Sequence, residues 1–302
     1  MSGVLGYVAP VCRRAGYAPQ RLKGGHLMEK AIFFEEIYPL PGVAEEGGLD
    51  RTLAWLAGLG LDGFQLCDED FQTVGEERLL AAMRRAGLAA TVIHTTPRLM
   101  AADDAAFEAG MTHALRALDL CVRADCHRLM VVPLPKSDVE GDGDLPRARA
   151  RMLEALRRLL PEAKHRGITL YFENFSTKHL PYGTVEDALE ISDALPEVRY
   201  CFDTGNYLCT RTDVLSAWEA LAPRAALLHV KSFTESAVPT WVCCDDGRCM
   251  QGMPLGEGDL DVHSFLAAAK ANTVADACVL EHNATITHAD VEQSVRVLRQ
   301  YF

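Results

Sequence analysis

Eight short apolar runs, each followed by a stretch of helical periodicity, set the limits on what this chain can fold into. Ala31–Glu35, Gly63–Cys67, Ala89–His94, His127–Pro133, Ile168–Glu173, Val198–Asp203, Ala225–Lys231 and Ala277–Glu281 read as strands. They are continuously apolar rather than alternating, the pattern of a parallel sheet covered on both faces. Between them, Leu49–Leu59, Glu76–Ala86, Val214–Leu221 and Leu260–Asn272 read as helices. Met111, Leu115, Leu118 and Val122 mark one apolar helix face, and Met152, Leu153, Leu156, Leu159 and Leu160 another. Thr184 with Asp187 reads as the cap of a helix running to about Leu195. Val291, Val295, Leu298 and Phe302 form the stripe of a closing helix. Eight such units over about 270 residues have the count and length of an α/β fold of the (β/α)₈ TIM-barrel type. An open doubly wound sheet normally places a glycine-rich phosphate loop after its first strand. Here Glu36-Ile-Tyr-Pro-Leu-Pro follows instead.

The chain of 302 residues accommodates one barrel domain over 28–302. Residues 1–27 contain Arg13, Arg14, Arg21 and Lys23 and no acidic residue. They read as an N-terminal extension outside the fold, with Met28 as its effective start. A net charge of −12 argues against nucleic acid or an anionic membrane as partner. No apolar run approaches the roughly 20 residues that span a bilayer. Among the ten cysteines, Cys67, Cys121, Cys201 and Cys278 fall inside apolar elements and suit reduced, buried thiols in a cytoplasmic protein. Cys243, Cys244 and Cys249 cluster, but adjacent cysteines are poorly placed to ligate one tetrahedral zinc ion.

Barrel sites form at the carboxyl ends of the strands. Four consecutive strands end in metal-ligand side chains: Glu173, Asp203, His229 and Glu281. Strand parity points Tyr171 and Thr169 inward with Glu173, and Lys231 inward with His229, one layer higher. Any one of these residues alone has a bland reading as a cap, a core histidine or a surface ion pair. Together they make three carboxylates and one imidazole, a set suited to Mn²⁺ or Mg²⁺, with Co²⁺ and Zn²⁺ also compatible. Asp203 stands where its strand stops, and Gly205 where the backbone is expected to bend sharply. His94, closing the third strand, is a candidate for a substrate hydroxyl. Residues 232–258 read as an irregular loop long enough to act as a lid. Phe233 and Trp241 within it are candidates to stack on a sugar face or to pack the lid.

With these residues in view, the chain over about 28–302 resembles the xylose isomerase-like TIM barrels. The resemblance lies in Phe-Glu173-Asn, Asp203-Thr-Gly-Asn, His229-Val-Lys, Pro254-Leu-Gly-Glu-Gly-Asp259 and Glu281. It is strongest to the sugar phosphate isomerase/epimerase group, which includes ketose 3-epimerases and hydroxypyruvate isomerase. The resemblance implies one divalent cation, Mn²⁺ first, on Glu173, Asp203, His229 and Glu281. It implies acid–base roles for Glu173 and Glu281, and substrate contacts from His94, Asn206, Lys231, Glu257 and Trp241. The expected activity is sugar or sugar phosphate isomerisation or epimerisation through an enediolate, with a small-molecule partner and homo-oligomerisation left open. Two positions depart from the epimerase pattern. Asn206 replaces a histidine, and His179 replaces a second carboxylate. Three other readings remain: a C-glycoside deglycosidase-type lyase subunit, an endonuclease IV-like nuclease and a non-catalytic binding barrel. Asn206, Lys231 and the negative charge argue against the nuclease, and the intact four-ligand set against mere binding.

Overall fold

The apolar runs pair as parallel strands because neither of their faces tolerates water, and closing the sheet removes its edges. In the computed structural model, which describes residues 28–302, they form a closed eight-stranded barrel. The 1–27 extension lies outside the described residues.

In chain order the strands are β1 Glu29–Phe33, β2 Gly63–Leu66, β3 Ala89–Thr95, β4 Arg128–Val131, β5 Thr169–Glu173, β6 Arg199–Asp203, β7 Ala225–Val230, β8 Ser232–Ser236, β9 Val242–Cys243, β10 Cys249–Met253 and β11 Ala277–Leu280. The α-helices are α1 Phe34–Ile37, α2 Gly48–Leu59, α3 Asp68–Val74, α4 Glu76–Ala86, α5 Asp104–Arg123, α6 Leu145–His165, α7 Val185–Ala194, α8 Thr204–Cys209, α9 Val214–Leu221, α10 Val262–Asn272 and α11 His288–Leu298. The barrel order is β1-β11-β7-β6-β5-β4-β3-β2. Every barrel pairing is parallel.

Alternate strand residues fill the barrel interior. Ala31, Val92, Met130, Tyr171, Cys201, Leu227 and Val279 pack there as one apolar cluster. Tyr171 therefore points inward as parity required. At the lower end, Arg128 closes the barrel with Glu29 at 3.0 Å and Asp276 at 3.1 Å. The opposite parity faces the helices. There Phe202 meets Tyr207, Trp218 and Phe265 with ring centroids 5.1–5.6 Å apart. This aromatic wedge fixes β6 against α8, α9 and α10, and so fixes Asp203, the next residue on the strand.

Four expectations need correction. The first strand is Glu29–Phe33, not Ala31–Glu35, because the chain turns into α1 at Phe34. Val122 is 55% exposed, so the apolar face of α5 stops short of it. Gly205 makes no sharp bend; it lies in the first turn of α8. What requires glycine is close approach, since an added Cβ would stand 2.4 Å from the Lys231 side chain. Finally, 232–258 is not irregular. It holds a three-stranded antiparallel sheet ordered β8-β10-β9.

That small sheet is fastened across the barrel mouth. Phe233 is fully buried under it with Cys209, Cys244 and Met250, so it packs the lid. Asp245, at the hairpin tip, accepts from the Thr177 hydroxyl and the Lys178 amide in the β5–α7 loop. Asp246 pairs with Arg211 at 2.6 Å and Arg248 at 2.8 Å. Gly252 lies so close to the His282 carbonyl that an added Cβ would come within 1.7 Å of it.

Removing Phe202, fully buried at the centre of the wedge, deletes one ring and leaves a cavity. Phe202→Ala is expected to cost about 3–5 kcal/mol of stability. Urea denaturation checks this, and a loss below about 1 kcal/mol would contradict the packing described.

Candidate metal centre

Strand register brings the four sequence-predicted ligands together. Asp203 and His229 are paired across β6 and β7, and Val279 pairs with His229 across β11 and β7. That second pairing sets Glu281 level with Lys231, one layer above the imidazole. His229 Nδ1 lies 3.3 Å from Glu173 Oε2, 3.6 Å from Asp203 Oδ2 and 3.4 Å from Glu281 Oε2. All four residues are buried. The ligand atoms of Asp203, His229 and Glu281 fall within 4.8 Å of one another.

Gln65 explains how the imidazole is held. Its Oε1 lies 2.9 Å from His229 Nε2 and accepts the proton there, while its Nε2 reaches His94 Nδ1 at 3.4 Å. With Nε2 donating to Gln65, Nδ1 is the atom aimed at the three carboxylates; burial opposes its charge, but Cys201, Asp203 and Glu173 hold the imidazole pKa well above its ordinary value, so without a cation a proton sits there. Nδ1 has no hydrogen-bond partner among the described residues, and Asp203 Oδ2 is met by the Lys231 ammonium at 2.9 Å. A fully buried lone pair facing anions is unfavourable without a cation or proton between them. The donor set thus fits a divalent cation, with Gln65 as the outer partner that fixes the ligating nitrogen.

Lys231 is buried among the carboxylates. It is 3% exposed, with Nζ 2.9 Å from Asp203 Oδ2 and 2.8 Å from Glu281 Oε1. Three carboxylates and one ammonium leave two negative charges, which one divalent ion would balance. Burial opposes the Lys231 charge, but Asp203, Glu281 and Glu173 hold its pKa well above the ordinary value. Burial pushes the Glu173 carboxyl up, with His229 and Lys231 offsetting this only in part. The same burial acts on Glu281, yet Lys231 and His229 hold it well below the usual carboxylate range.

The remaining candidates divide. His94 joins the centre through Gln65, and desolvation lowers its imidazole to about 4, against the pull of Glu281. Asn206 is tied into the scaffold. Its amide donates to the Asn174 carbonyl at 2.8 Å, and it is buried. Glu257 is exposed on the outer rim, 3.1 Å from Gln293 of α11, away from the ligand set. Trp241 is 74% exposed at the mouth. His179 lies at the rim, 3.9 Å from Asp245. Cys243 and Cys249 face each other across β9 and β10, whereas Cys244 is buried with Cys209. Among the described residues, none of these cysteines joins a cluster of three potential metal ligands.

Comparison with known proteins settles the family. A family model described as the xylose isomerase-like TIM barrel matches residues 53–301. The chain belongs to the xylose isomerase-like TIM barrel family. A comparison with curated proteins gives no significant match. Similar solved structures include the IolI protein with a bound zinc atom, at 16% identity and TM-score 0.68, covering 91% of this chain and 99% of that one. The 3-keto-D-glucoside 4-epimerase from E. coli is similar at 15% identity and TM-score 0.66, covering 91% and 98%. A Mycobacterium smegmatis xylose isomerase-like barrel in complex with magnesium is similar at 18% identity and TM-score 0.65, covering 91% and 95%.

Within this family member, sequence reasoning missed the residues that support the ligands. Asn174 clamps the Asp203 peptide from both sides: its Oδ1 accepts from the Asp203 amide at 2.8 Å, and its Nδ2 donates to the Asp203 carbonyl at 2.9 Å. Asp203 serves twice, because its Oδ1 caps α8 through the Asn206 amide while Oδ2 faces the site. Glu36 Oε1 accepts from the His282 and Asn283 amides, and Glu36 Oε2 lies 3.0 Å from His282 Nδ1. His282 Nε2 in turn lies 2.9 Å from the Ser294 hydroxyl. This chain fixes the segment next to Glu281 between α1 and α11. Gln65, a polar residue at an inward position of an apolar strand, was the one readable signal.

Glu35 was also missed. It shares a cavity of about 200 Å³ with Cys67, His94 and His113. Although Glu35 is exposed at the rim, partial desolvation by the cavity wall, reinforced by Glu281, Asp70, Glu36 and Glu69, raises its carboxyl to about 7. The folded state therefore binds this proton more tightly than the unfolded chain does. Its contribution to stability is full below the unfolded value near 4.5 and is lost as pH rises to about 7. The melting-temperature difference between metal-free wild type and Glu35→Gln is expected to shift against the wild type across that window and to level off above it. A difference that stays constant through the window would contradict this placement of Glu35.

Proposed function

We propose that the protein is a divalent-metal-dependent sugar, or sugar phosphate, isomerase or epimerase that moves a proton next to a carbonyl through an enediolate. The observation that carries this reading is the His229 Nδ1 atom, buried and ringed by three carboxylates at 3.3–3.6 Å. A cation held by Glu173, Asp203, His229 and Glu281 supplies Lewis-acid polarisation of a carbonyl and stabilises developing oxyanion charge. The preponderance of oxygen ligands favours Mn²⁺, with Mg²⁺, Co²⁺ and Zn²⁺ compatible.

The chain's own groups then divide the work. Glu173 on β5 and Glu281 after β11 stand at the two ends of the ligand arc, so each addresses a different side of a substrate carbon between them. One removes the proton from the carbon beside the carbonyl, and proton return at the same or the neighbouring carbon decides epimerisation or isomerisation. Lys231, fixed between Asp203 and Glu281, keeps positive charge beside the developing enediolate. His94, neutral at physiological pH, offers a ring nitrogen to a hydroxyl. The lid sheet, tied to the β5 and β6 loops, shields this chemistry from water. The buried free thiols suit a reducing compartment, and we assign the protein to the cytoplasm.

Replacing either glutamate by glutamine keeps a ligand oxygen and removes the proton acceptor. Metal-loaded Glu173→Gln and Glu281→Gln are expected to hold their ion while solvent deuterium exchange into ketose and aldose substrates falls by about 10²–10⁴-fold. Metal-loaded variants that both exchange at the wild-type rate would sink the acid–base assignment.

A further inference from the structure

The barrel mouth has a second compartment that the metal centre leaves unused. A cavity of about 410 Å³ opens between α1 and the segment after β11. Pro39, Leu40 and Ile286 supply apolar wall, Trp241 stands over it, and Glu35 and Asn283 line its polar end.

Trp241 is the most exposed large hydrophobic side chain of the described residues. It is not loose, because its indole N–H donates to the Asn283 carbonyl at 2.7 Å. A ring held in place by its polar edge, with its apolar surface uncovered over a cavity, is a preorganised stacking platform. The hydrogen bond also tells what the platform serves. Asn283 has a left-handed backbone, φ 51°, and its amide donates to Glu36 Oε1 at 2.6 Å. Its Oδ1 accepts from Lys231 Nζ at 3.3 Å, and Lys231 holds Asp203 and Glu281. One residue thus joins the indole to the ligand set. Glu35 makes the second connection, since it lines both this cavity and the polar one beside His94.

The mouth is therefore bipartite, with acidic and imidazole groups on one side of Glu35 and an apolar, ring-sized space on the other. We propose that the substrate is a sugar with a free carbonyl that carries an apolar ring-sized, aryl-type substituent elsewhere on its skeleton. Its polyol faces the metal centre and its substituent lies on Trp241. A bare monosaccharide would leave the Trp241 compartment wet and the indole uncovered. This assignment rests on the sugar reading of the metal centre and specifies its substrate class.

The test compares phenyl and methyl β-D-glucopyranoside binding to full-length, Mn²⁺-loaded protein by ligand-observed NMR titration. Binding requires no turnover, so the result is separate from the exchange reaction that judges the sugar reading. The wild type is expected to bind the phenyl glycoside about tenfold more tightly, the gain of covering one aromatic ring. In Trp241→Ala the two glycosides should fall within about twofold of each other, with the methyl glycoside unchanged. The exposed position of Trp241 keeps the fold out of the comparison, and an unchanged Mn²⁺-dependent thermal shift confirms that. Equal affinities in the wild type, or a phenyl preference that survives in Trp241→Ala, would overturn the substrate class while leaving the sugar reading intact. Failure of both glycosides to bind would overturn the substrate class, while the sugar reading is judged separately by deuterium exchange into ketoses and aldoses.

Discussion

The buried His229 imidazole, with Nδ1 facing three carboxylates, is the constraint around which the upper half of the barrel is arranged. Two like charges about 4.8 Å apart repel by roughly 3–4 kcal/mol at an effective dielectric near 20. The ligand atoms of Asp203, His229 and Glu281 are no farther apart than 4.8 Å, and Glu173 adds a third carboxylate to that buried cluster. Lys231 offsets one negative charge. Stability alone gives no reason to bury such a set of charges, because apolar residues of similar size would fill the space without the repulsion. Capacity for a divalent cation gives that reason.

Much of the surrounding structure serves to keep these groups from relaxing away from one another. Gln65 fixes the imidazole by accepting from Nε2. Asn174 holds the Asp203 peptide from both sides, and its own carbonyl is fastened by Asn206. Glu36, His282 and Ser294 anchor the segment beside Glu281 to α1 and α11. Behind β6 the Phe202 wedge keeps the strand from shifting. A metal site on rigid strands needs this kind of support, because ligand positions must be held within about half an ångström. The lid sheet is part of the same scaffold, tied at its tip to the β5 and β6 loops.

The barrel and the meeting of Glu173, Asp203, His229 and Glu281 at its mouth were legible in the sequence because period and parity suffice for both. Continuous apolar runs give parallel strands, and a two-residue repeat assigns Tyr171 and Glu173 to one face. What stayed hidden depends on contacts distant in sequence. Nothing local distinguishes Asn206 as a fastener for Asn174 from Asn206 as a substrate group. Glu257 lies in a distinctive glycine-rich run, yet that run turns toward Gln293 and the outside of the barrel. Gly205 suggested a bend, but the cause is the Lys231 side chain passing over it. The lid sheet escaped notice because Ser-Phe-Thr-Glu-Ser and Cys-Met-Gln-Gly-Met carry little β-branched character and pair only with each other and with two residues of β9. Trp241 was visible as an aromatic residue in a long connection, whereas the cavity beneath it needs α1 and the segment after β11 brought side by side.

The most direct measurement is anomalous diffraction from a crystal of the wild-type protein grown with Mn²⁺. The structure predicts one strong peak among Glu173, Asp203, His229 and Glu281, with His229 coordinating through Nδ1 while Nε2 keeps its bond to Gln65. No peak at that position, or coordination through Nε2 with the Gln65 bond broken, would contradict it.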